Sequence, residues 1–431
     1  MTPAARIAAA IEVLEDIYAR RRPAPDALKD WGLGHRFAGS GDRAGISSLL
    51  YDAMRKKASS AWIMGADNAR AQMIGALKQT RAMSADAVAL LFNGEGHAPS
   101  PLSADERARL EGGDLAGAPL HVAGDFPEWL APAFAEAFGA TAAAEGQALA
   151  ERAPIDLRAN TLRMTREKAL EQLAHLYPAP TPLSPVGLRI APRADGRGPA
   201  LSAEPAYIKG LVEVQDEGSQ LAALLSGAKP GIQVLDLCAG AGGKALALAA
   251  MLDNQGQVYA SDTDGRRLAP IFQRLERSGA RNVQVRAPKG SQDILTDLQG
   301  HMDLVFVDAP CTGSGAWRRN PDAKWRIRPG ALETRLKEQI ATLDSAARYA
   351  RPGGRLVYVT CSVLKAENED QIAAFLARHS QFLPLDAGQM ARGAELPGLA
   401  ERASKLGAGF RFSPLTTDTD GFYVAGLVCA G

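Results

Sequence analysis

The chain has few cysteines, few aromatic residues and no long apolar run. Its 431 residues include four cysteines, and 6% of them are aromatic. Cysteines this sparse and scattered exclude a disulfide framework and a CxxC-type zinc site, so we expect free thiols and no metal. No uncharged apolar run approaches the roughly 18 residues that cross a bilayer, and the N-terminus lacks the apolar region of a signal peptide. We therefore expect a cytoplasmic protein without a membrane partner.

Net charge is nearly absent as well. The chain has 49 Lys and Arg against 48 Asp and Glu, which gives a formal net charge of +1. Such a balance gives no global attraction to polyanions, so any binding of nucleic acid must depend on local patches. The hydrophobic fraction of 46% and the charged fraction of 23% are typical of a globular protein. The length predicts two or three domains.

The periodicity changes twice along the chain. Residues 1–125 show helical spacing of apolar residues, as at Ile7, Ile11, Leu14 and Ile17, and predict a helical domain. Residues 126–210 predict a linker helix followed by a small α/β domain, with strands at 155–160 and 187–190 around a helix at 166–176. The third region, 211–431, alternates strands and helices, which predicts an α/β fold with a doubly wound, mostly parallel, Rossmann-like sheet. Its expected strands are 233–237, 257–261, 283–286, 304–307, 355–359 and 421–428.

A glycine-rich turn follows the first strand of the third region. The turn comprises Cys238, Ala239, Gly240, Ala241, Gly242, Gly243 and Lys244. Glycines there permit positive φ angles and the close approach of a ligand to the backbone. Asp262 ends the next strand about twenty residues later, where an acid typically binds ribose hydroxyls. We expect an adenosyl cofactor at this turn, although the pattern alone does not choose between a dinucleotide and S-adenosylmethionine (SAM).

Two further strands end in a thiol. One leads through Asp308 to Cys311 and the other ends at Cys361, so both should reach the same edge of a parallel sheet. Hydride transfer has no evident use for two thiols. Methylation at carbon 5 of a pyrimidine does have a use for a thiol, because addition of a thiolate at carbon 6 makes carbon 5 nucleophilic. An acid near N3 would assist this addition, and Asp308 is the candidate.

A basic and aromatic segment follows the Cys311 motif. It includes Arg318, Arg319, Lys324 and Trp325. Phosphate contacts combined with stacking are typical of single-stranded RNA recognition, so we expect these four residues to contact substrate RNA. The alternative is a solvated run of charges.

These motifs resemble those of the Sun-type (RsmB/NOP) branch of the bacterial RNA cytosine-5 methyltransferases. The matching text comprises Asp308-Ala-Pro-Cys-Thr-Gly-Ser-Gly315, Arg318-Arg-Asn-Pro-Asp-Ala-Lys-Trp325, Thr360-Cys-Ser-Val-Leu364, Glu367-Asn-Glu369 and Asp420-Gly-Phe422. The resemblance implies that Cys361 attacks carbon 6 and that Cys311 assists breakdown of the adduct. It also implies that residues 238–244 line the methionine part of SAM, that Asp262 binds ribose, and that Asp308 lies near both cofactor and base.

The sequence departs from this family at two places. Ala241 stands where the family usually has a proline. The text Arg286-Ala-Pro-Lys289 stands where the family commonly has an acid that contacts adenine, and Asp293 is a candidate substitute.

The resemblance implies a SAM-dependent methyltransferase acting on carbon 5 of a cytosine in RNA, with 16S ribosomal RNA the first expectation and transfer RNA the second. The target base must be unpaired or flipped out for a thiolate to reach carbon 6. The helical domain would resemble the RNA-binding NusB-like fold, and we expect a monomer. Two alternatives remain open: a Rossmann-type dehydrogenase, and a non-catalytic RNA-binding or ribosome-assembly factor.

Overall fold

The computed structural model describes residues 1–193, 198–290 and 292–430. They divide into two compact units. Unit 1 comprises Met1–Arg152, Pro192–Gly198 and Trp317–Ile327, and unit 2 comprises Ala153–Ala191, Pro199–Ala316 and Arg328–Gly431. The predicted boundaries near residues 125 and 210 stay a prediction.

The helices up to residue 150 are α1 (Pro3–Arg20), α2 (Ala24–Gly34), α3 (Ser40–Arg55), α4 (Lys57–Met64), α5 (Ala69–Arg81), α6 (Ala85–Leu91), α7 (Ala104–Gly112), α8 (Leu120–Ala123), α9 (Ala131–Phe138) and α10 (Ala142–Ala150). Those that follow are α11 (Arg166–Gln172), α12 (Pro205–Ile208), α13 (Glu217–Leu224), α14 (Gly243–Met251), α15 (Gly265–Leu268), α16 (Ile271–Ser278), α17 (Pro321–Arg326), α18 (Pro329–Ala346), α19 (Glu369–Arg378), α20 (Ala387–Gly393) and α21 (Pro414–Thr417). None of these described helices is long and apolar enough to cross a membrane.

The strands are β1 (Ile155–Ala159), β2 (Ala179–Pro180), β3 (Gly187–Ile190), β4 (Val212–Val214), β5 (Gln233–Asp236), β6 (Gln257–Ser261), β7 (Val283–Arg286), β8 (Met302–Asp308), β9 (Ala350–Thr360), β10 (Phe382–Pro384), β11 (Phe410–Phe412) and β12 (Phe422–Cys429). They form two sheets, both in unit 2. The small sheet has the order β2-β3-β1-β4, and the large one has the order β10-β12-β9-β8-β5-β6-β7, with β11 paired to β12.

Unit 1 is helical, as the apolar spacing predicts. Ile7, Ile11, Leu14 and Ile17 all lie on the buried face of α1, where the i, i+3, i+4 pattern brings them onto one side of the helix. This face packs against α3 and α5 in one apolar core. Thr2 begins the helix by accepting a hydrogen bond from the Ala5 N–H through its side chain. The helical N-terminal region is therefore confirmed.

The large sheet of unit 2 confirms the α/β prediction. Strands β5 to β9 run parallel, and β10, β11 and β12 add an antiparallel edge. All six predicted strands are present, and β6 and β7 have the predicted bounds. Strand β9 starts five residues earlier than expected because the apolar run, which sets the prediction, covers only its buried second half. The parallel strands bring their carboxyl ends to one edge, where loops can carry a site.

Candidate active site

The carboxyl ends of β5, β6, β8 and β9 form the edge that carries the candidate site. In the register of the sheet, Asp236 lies beside Phe306 and Asp308 lies beside Val359. Cys361 follows the last residue of β9 directly. The parallel register therefore brings two acids and a thiol to the same edge, although their positions in the chain span about 125 residues.

The two predicted thiols are neighbours. The Sγ atoms of Cys311 and Cys361 lie 3.4 Å apart, and either can donate to the other. The loops are tied together by a hydrogen bond of 2.9 Å from the Gly315 N–H to the Cys361 carbonyl. The hydrogen bond with Cys361, together with burial, raises the pKa of Cys311 well above its usual range. Cys311 therefore stays a protonated thiol beside the Cys361 sulfur.

Asp308 and Lys244 form an ion pair at this edge. The Lys244 ammonium donates to Asp308 Oδ2 over 2.7 Å and lies 5.3 Å from the ring centre of Phe422. Burial opposes the charge on Lys244, but the Asp308 carboxylate outweighs it and raises the pKa of Lys244 above its ordinary value. The lysine is therefore a fixed positive charge that holds the Asp308 carboxylate in place.

The glycine turn has the predicted geometry. Gly242 has a φ of +83°, and a Cβ atom there would lie 2.4 Å from Ile271 Cγ1, so a side chain is excluded for two reasons. The Gly240 N–H donates to Asp262 Oδ2 over 3.0 Å, while Asp262 Oδ1 accepts from the Asp264 N–H. Asp262, the acid predicted to bind ribose, thus also stabilises the glycine turn. Each of its oxygens keeps a second lone pair for a ligand.

Asp236 is a buried acid that the sequence reasoning did not single out. It is completely buried, and neither carboxylate oxygen has a hydrogen-bond partner of good geometry among the described residues. Burial, assisted by the negative charge of Asp308, raises the pKa of Asp236 to about 8. Its only sequence signal is its position as the last residue of a buried strand, two residues before the glycine turn begins.

Glu367 and Gln339 were also missed as site residues. Glu367 is fully buried and accepts hydrogen bonds from the loop of Cys311 and from the loop of Cys361. Gln339, on α18, donates to the same carboxylate. Glu367 stands in one of the motifs quoted above, but a motif alone does not say what its acid contacts. Gln339 has no signal in the sequence.

The structure corrects part of the RNA prediction. Arg318 and Lys324 are 2% and 1% exposed, and the Lys324 ammonium donates to the Arg55 carbonyl over 3.0 Å within unit 1. Side chains at this depth do not line an RNA surface, so the prediction is wrong for these two. Trp325 is partly buried and donates from Nε1 to the Met54 carbonyl over 2.6 Å. For Trp325 and Arg319, RNA contact stays a prediction.

Arg286-Ala-Pro-Lys289 occupies the position where the family commonly has an acid that contacts adenine. Arg286 pairs with Asp297 over 2.7 Å. Asp293 is exposed and accepts from the Leu295 N–H over 3.0 Å, as expected for an acid that caps a turn. Contact between Asp293 and adenine stays a prediction.

Two regions of the chain match known protein families. Residues 223–428 match the family described as 16S rRNA methyltransferase RsmB/F, and residues 126–195 match the ferredoxin-like domain of RsmF/B-like methyltransferases. The probable ribosomal RNA small subunit methyltransferase B of Synechocystis sp. is 33% identical over 263 residues, which cover 60% of this chain and 57% of the relative. The chain thus spans less than two thirds of that relative.

Two solved structures have the same fold. The crystal structure of PH0851 matches with a TM-score of 0.71 at 24% identity, over 99% of both chains. That of NSun6 from Pyrococcus horikoshii with SFG matches with a TM-score of 0.59 at 22% identity, over 71% of this chain and 99% of the other.

The sheet order, the glycine turn and these likenesses define the class: unit 2 has the Rossmann-like fold of SAM-dependent methyltransferases. More narrowly, residues 223–428 belong to the RsmB/F family of methyltransferases. SAM is the cofactor of this family.

The residues present fit this cofactor. Gly240 and Gly242, the two glycines with positive φ, add no side chain to the turn, and a Cβ at Gly240 would meet nothing closer than 3.9 Å. Neither carboxyl oxygen of Asp236 has a hydrogen-bond partner of good geometry among the described residues, so both can accept from the ammonium group of a methionine. Asp262 lies at the end of the neighbouring strand with hydrogen-bonding capacity for hydroxyl groups.

Proposed function

We propose that this protein is a SAM-dependent RNA methyltransferase that methylates carbon 5 of a cytosine, with 16S ribosomal RNA as its substrate. The observation that carries the proposal is the pair of sulfur atoms 3.4 Å apart at the carboxyl edge of the sheet. A site for hydride transfer or for methylation of an oxygen atom has no use for two adjacent thiols.

In the proposed reaction, the Cys361 sulfur attacks carbon 6 of the cytosine and forms a carbon–sulfur bond. The electron pair of the ring double bond becomes available at carbon 5, and N3 takes a proton from water beside the Asp308 carboxylate, which relieves the developing charge, and returns that proton to water when the thiol leaves. Bound SAM supplies the methyl group that carbon 5 takes up. Carbon 5 then loses its proton to water, the double bond re-forms, and the carbon–sulfur bond breaks.

Cys311 is suited to the last step. Because burial and its neighbour keep Cys311 protonated, its S–H can donate a proton to the Cys361 sulfur as that sulfur leaves carbon 6. Lys244 contributes by holding Asp308 through their ion pair. Asp236, Asp262 and residues 238–244 bind the cofactor.

The proposal is tested by incubating the protein with SAM and unmodified 16S ribosomal RNA, then digesting the RNA and measuring 5-methylcytidine by mass spectrometry. The expected result is one or more 5-methylcytidines that Cys361→Ala does not produce. Unmodified transfer RNA serves as the second substrate, and methylation of transfer RNA alone would overturn the ribosomal assignment. SAM binding without 5-methylcytidine in either RNA would overturn cytosine methylation.

A further inference from the structure

We propose that Glu367 is a positioning residue of the two-thiol site: it joins the loop that carries Cys311 to the loop that carries Cys361 and so fixes the distance between the two sulfur atoms. This inference rests on the proposed function, since it gives a use to an acid that the reaction itself does not employ. All of the residues concerned lie in unit 2.

Glu367 contacts the residue that follows each cysteine. Its Oε1 accepts from the Thr312 N–H over 2.8 Å, and its Oε2 accepts from the Thr312 hydroxyl over 2.5 Å. Oε2 also accepts from the Ser362 hydroxyl. One carboxylate therefore bridges Thr312, next to Cys311, and Ser362, next to Cys361.

Gln339 adds a third point of attachment. Its Nε2 donates to Glu367 Oε1 over 3.0 Å and to the Pro310 carbonyl over 2.9 Å. The same amide thus grips the Cys311 loop on the other side of the cysteine. The backbone of Glu367 is itself fixed, because the Tyr358 hydroxyl on β9 donates to its carbonyl over 2.7 Å.

The chemistry of these contacts points to an ionised acceptor. Two hydroxyls, an amide and a backbone N–H all donate to the Glu367 side chain, and a carboxylate accepts from all of them without a competing proton. Glu367, Gln339 and Ser362 are at most 1% exposed. Removing one acceptor oxygen would leave buried donors unpaired, which destabilises this local arrangement more than the wider fold.

The Glu367 charge also acts on Cys311. The Cys361 contact and burial are the larger causes of the raised pKa of Cys311, and the negative charge of Glu367 adds to them. Glu367→Gln removes that charge and loosens the contact between the sulfurs. Both changes lower the pKa of Cys311 and increase its thiolate fraction.

The test measures alkylation of each cysteine by iodoacetamide at pH 8, by mass spectrometry on the full chain without RNA. Glu367→Gln should speed alkylation of Cys311 by about tenfold, because a lowered pKa increases the thiolate fraction that reacts with iodoacetamide. Cys238, whose pKa is also raised by burial, should be unchanged. In methylation assays kcat should fall about tenfold or more, while the Kd for SAM stays within about twofold.

The matched control is Glu217→Gln. Glu217 is equally buried in unit 2 and accepts from the Leu183 and Ser184 N–H groups over 2.6 and 2.7 Å. This variant should change neither the Cys311 rate nor kcat.

If Glu367→Gln fails to fold, Thr312→Val can be used in its place. This variant removes one hydroxyl that donates to Glu367, and it should also speed alkylation of Cys311. An unchanged Cys311 rate in the folded variant, or equal acceleration of Cys238, would overturn the inference. Because alkylation needs neither RNA nor methyl transfer, this result is independent of whether cytosine is the substrate.

Discussion

Lys324 provides a sharp test of the structure, because its burial makes the free energy of unfolding of unit 1 depend on pH. Burial, reinforced by the neighbouring charges of Lys56 and Arg55 and opposed by Asp125, lowers the pKa of Lys324 from 10.5 to about 7. In the unfolded chain the lysine keeps its ordinary pKa. Between pH 7 and pH 10.5 the folded state therefore binds fewer protons than the unfolded state, and stability rises with pH.

The magnitude follows from the same shift. Raising the pH from 7 to 9 should increase the free energy of unfolding of unit 1 by about 2 kcal/mol through Lys324 alone, since each unit of pKa shift is worth about 1.4 kcal/mol. Lys324→Met lacks this contribution. The difference between the two proteins cancels the effect of other groups that titrate in this range.

Unit 1 can be followed selectively. All five tryptophans lie in it, namely Trp31, Trp62, Trp129, Trp317 and Trp325. Urea unfolding monitored by tryptophan fluorescence at pH 7 and at pH 9 should show the wild type gaining about 2 kcal/mol relative to Lys324→Met. Identical pH dependence in the two proteins would refute the lowered pKa of the buried Lys324. If Lys324→Met folds but binds RNA more weakly than the wild type, this result would support an RNA contact by Lys324, which the structure contradicts.

Two further changes have clear expected outcomes. Gly315→Ala would place a Cβ atom 2.0 Å from the Gly421 carbonyl oxygen, so we expect the free energy of unfolding to fall by about 2 kcal/mol or more and the Tm to fall by calorimetry. Gly330→Ala is the control and should have little effect, because its added atom meets nothing within 4 Å. The second change is Asp236→Asn in the cofactor-free protein. Because folding raises the pKa of Asp236 from 3.8 to about 8, its stabilising contribution is complete below pH 3.8 and is lost as the pH rises through 8. The wild type should lose roughly 3 kcal/mol more than the variant between pH 5 and 8, and equal losses by circular dichroism would contradict the burial of this acid.

The strands of the large sheet could be predicted from the sequence because each is a short apolar run bounded by turn residues. The meeting of Cys311 and Cys361 was predictable for the same reason, since parallel strands share a carboxyl edge. The local sequence pattern was sufficient to predict the position of a residue wherever that position depends on the strand to which the residue belongs.

The contacts of Glu367 and Lys324 could not be predicted in this way. The Glu367 carboxylate binds Thr312, which lies 55 residues earlier, and no local pattern relates the two. Lys324 stands among several cations, a pattern typical of a surface, but it is buried and its Nζ donates to the carbonyl of Arg55, which lies 269 residues earlier. Burial of a charge depends on distant partners, which the pattern of neighbouring residues does not reveal.

The measurement that tests the central claim most directly is the trapping of a covalent intermediate. Cys311→Ala should be incubated with unmodified 16S ribosomal RNA and SAM, denatured, and analysed for a protein–RNA adduct. The account predicts that the adduct accumulates, that mass spectrometry places it on Cys361, and that the double variant lacking both thiols forms none. Absence of an adduct while the wild type produces 5-methylcytidine, or attachment at another residue, would contradict the two-thiol mechanism.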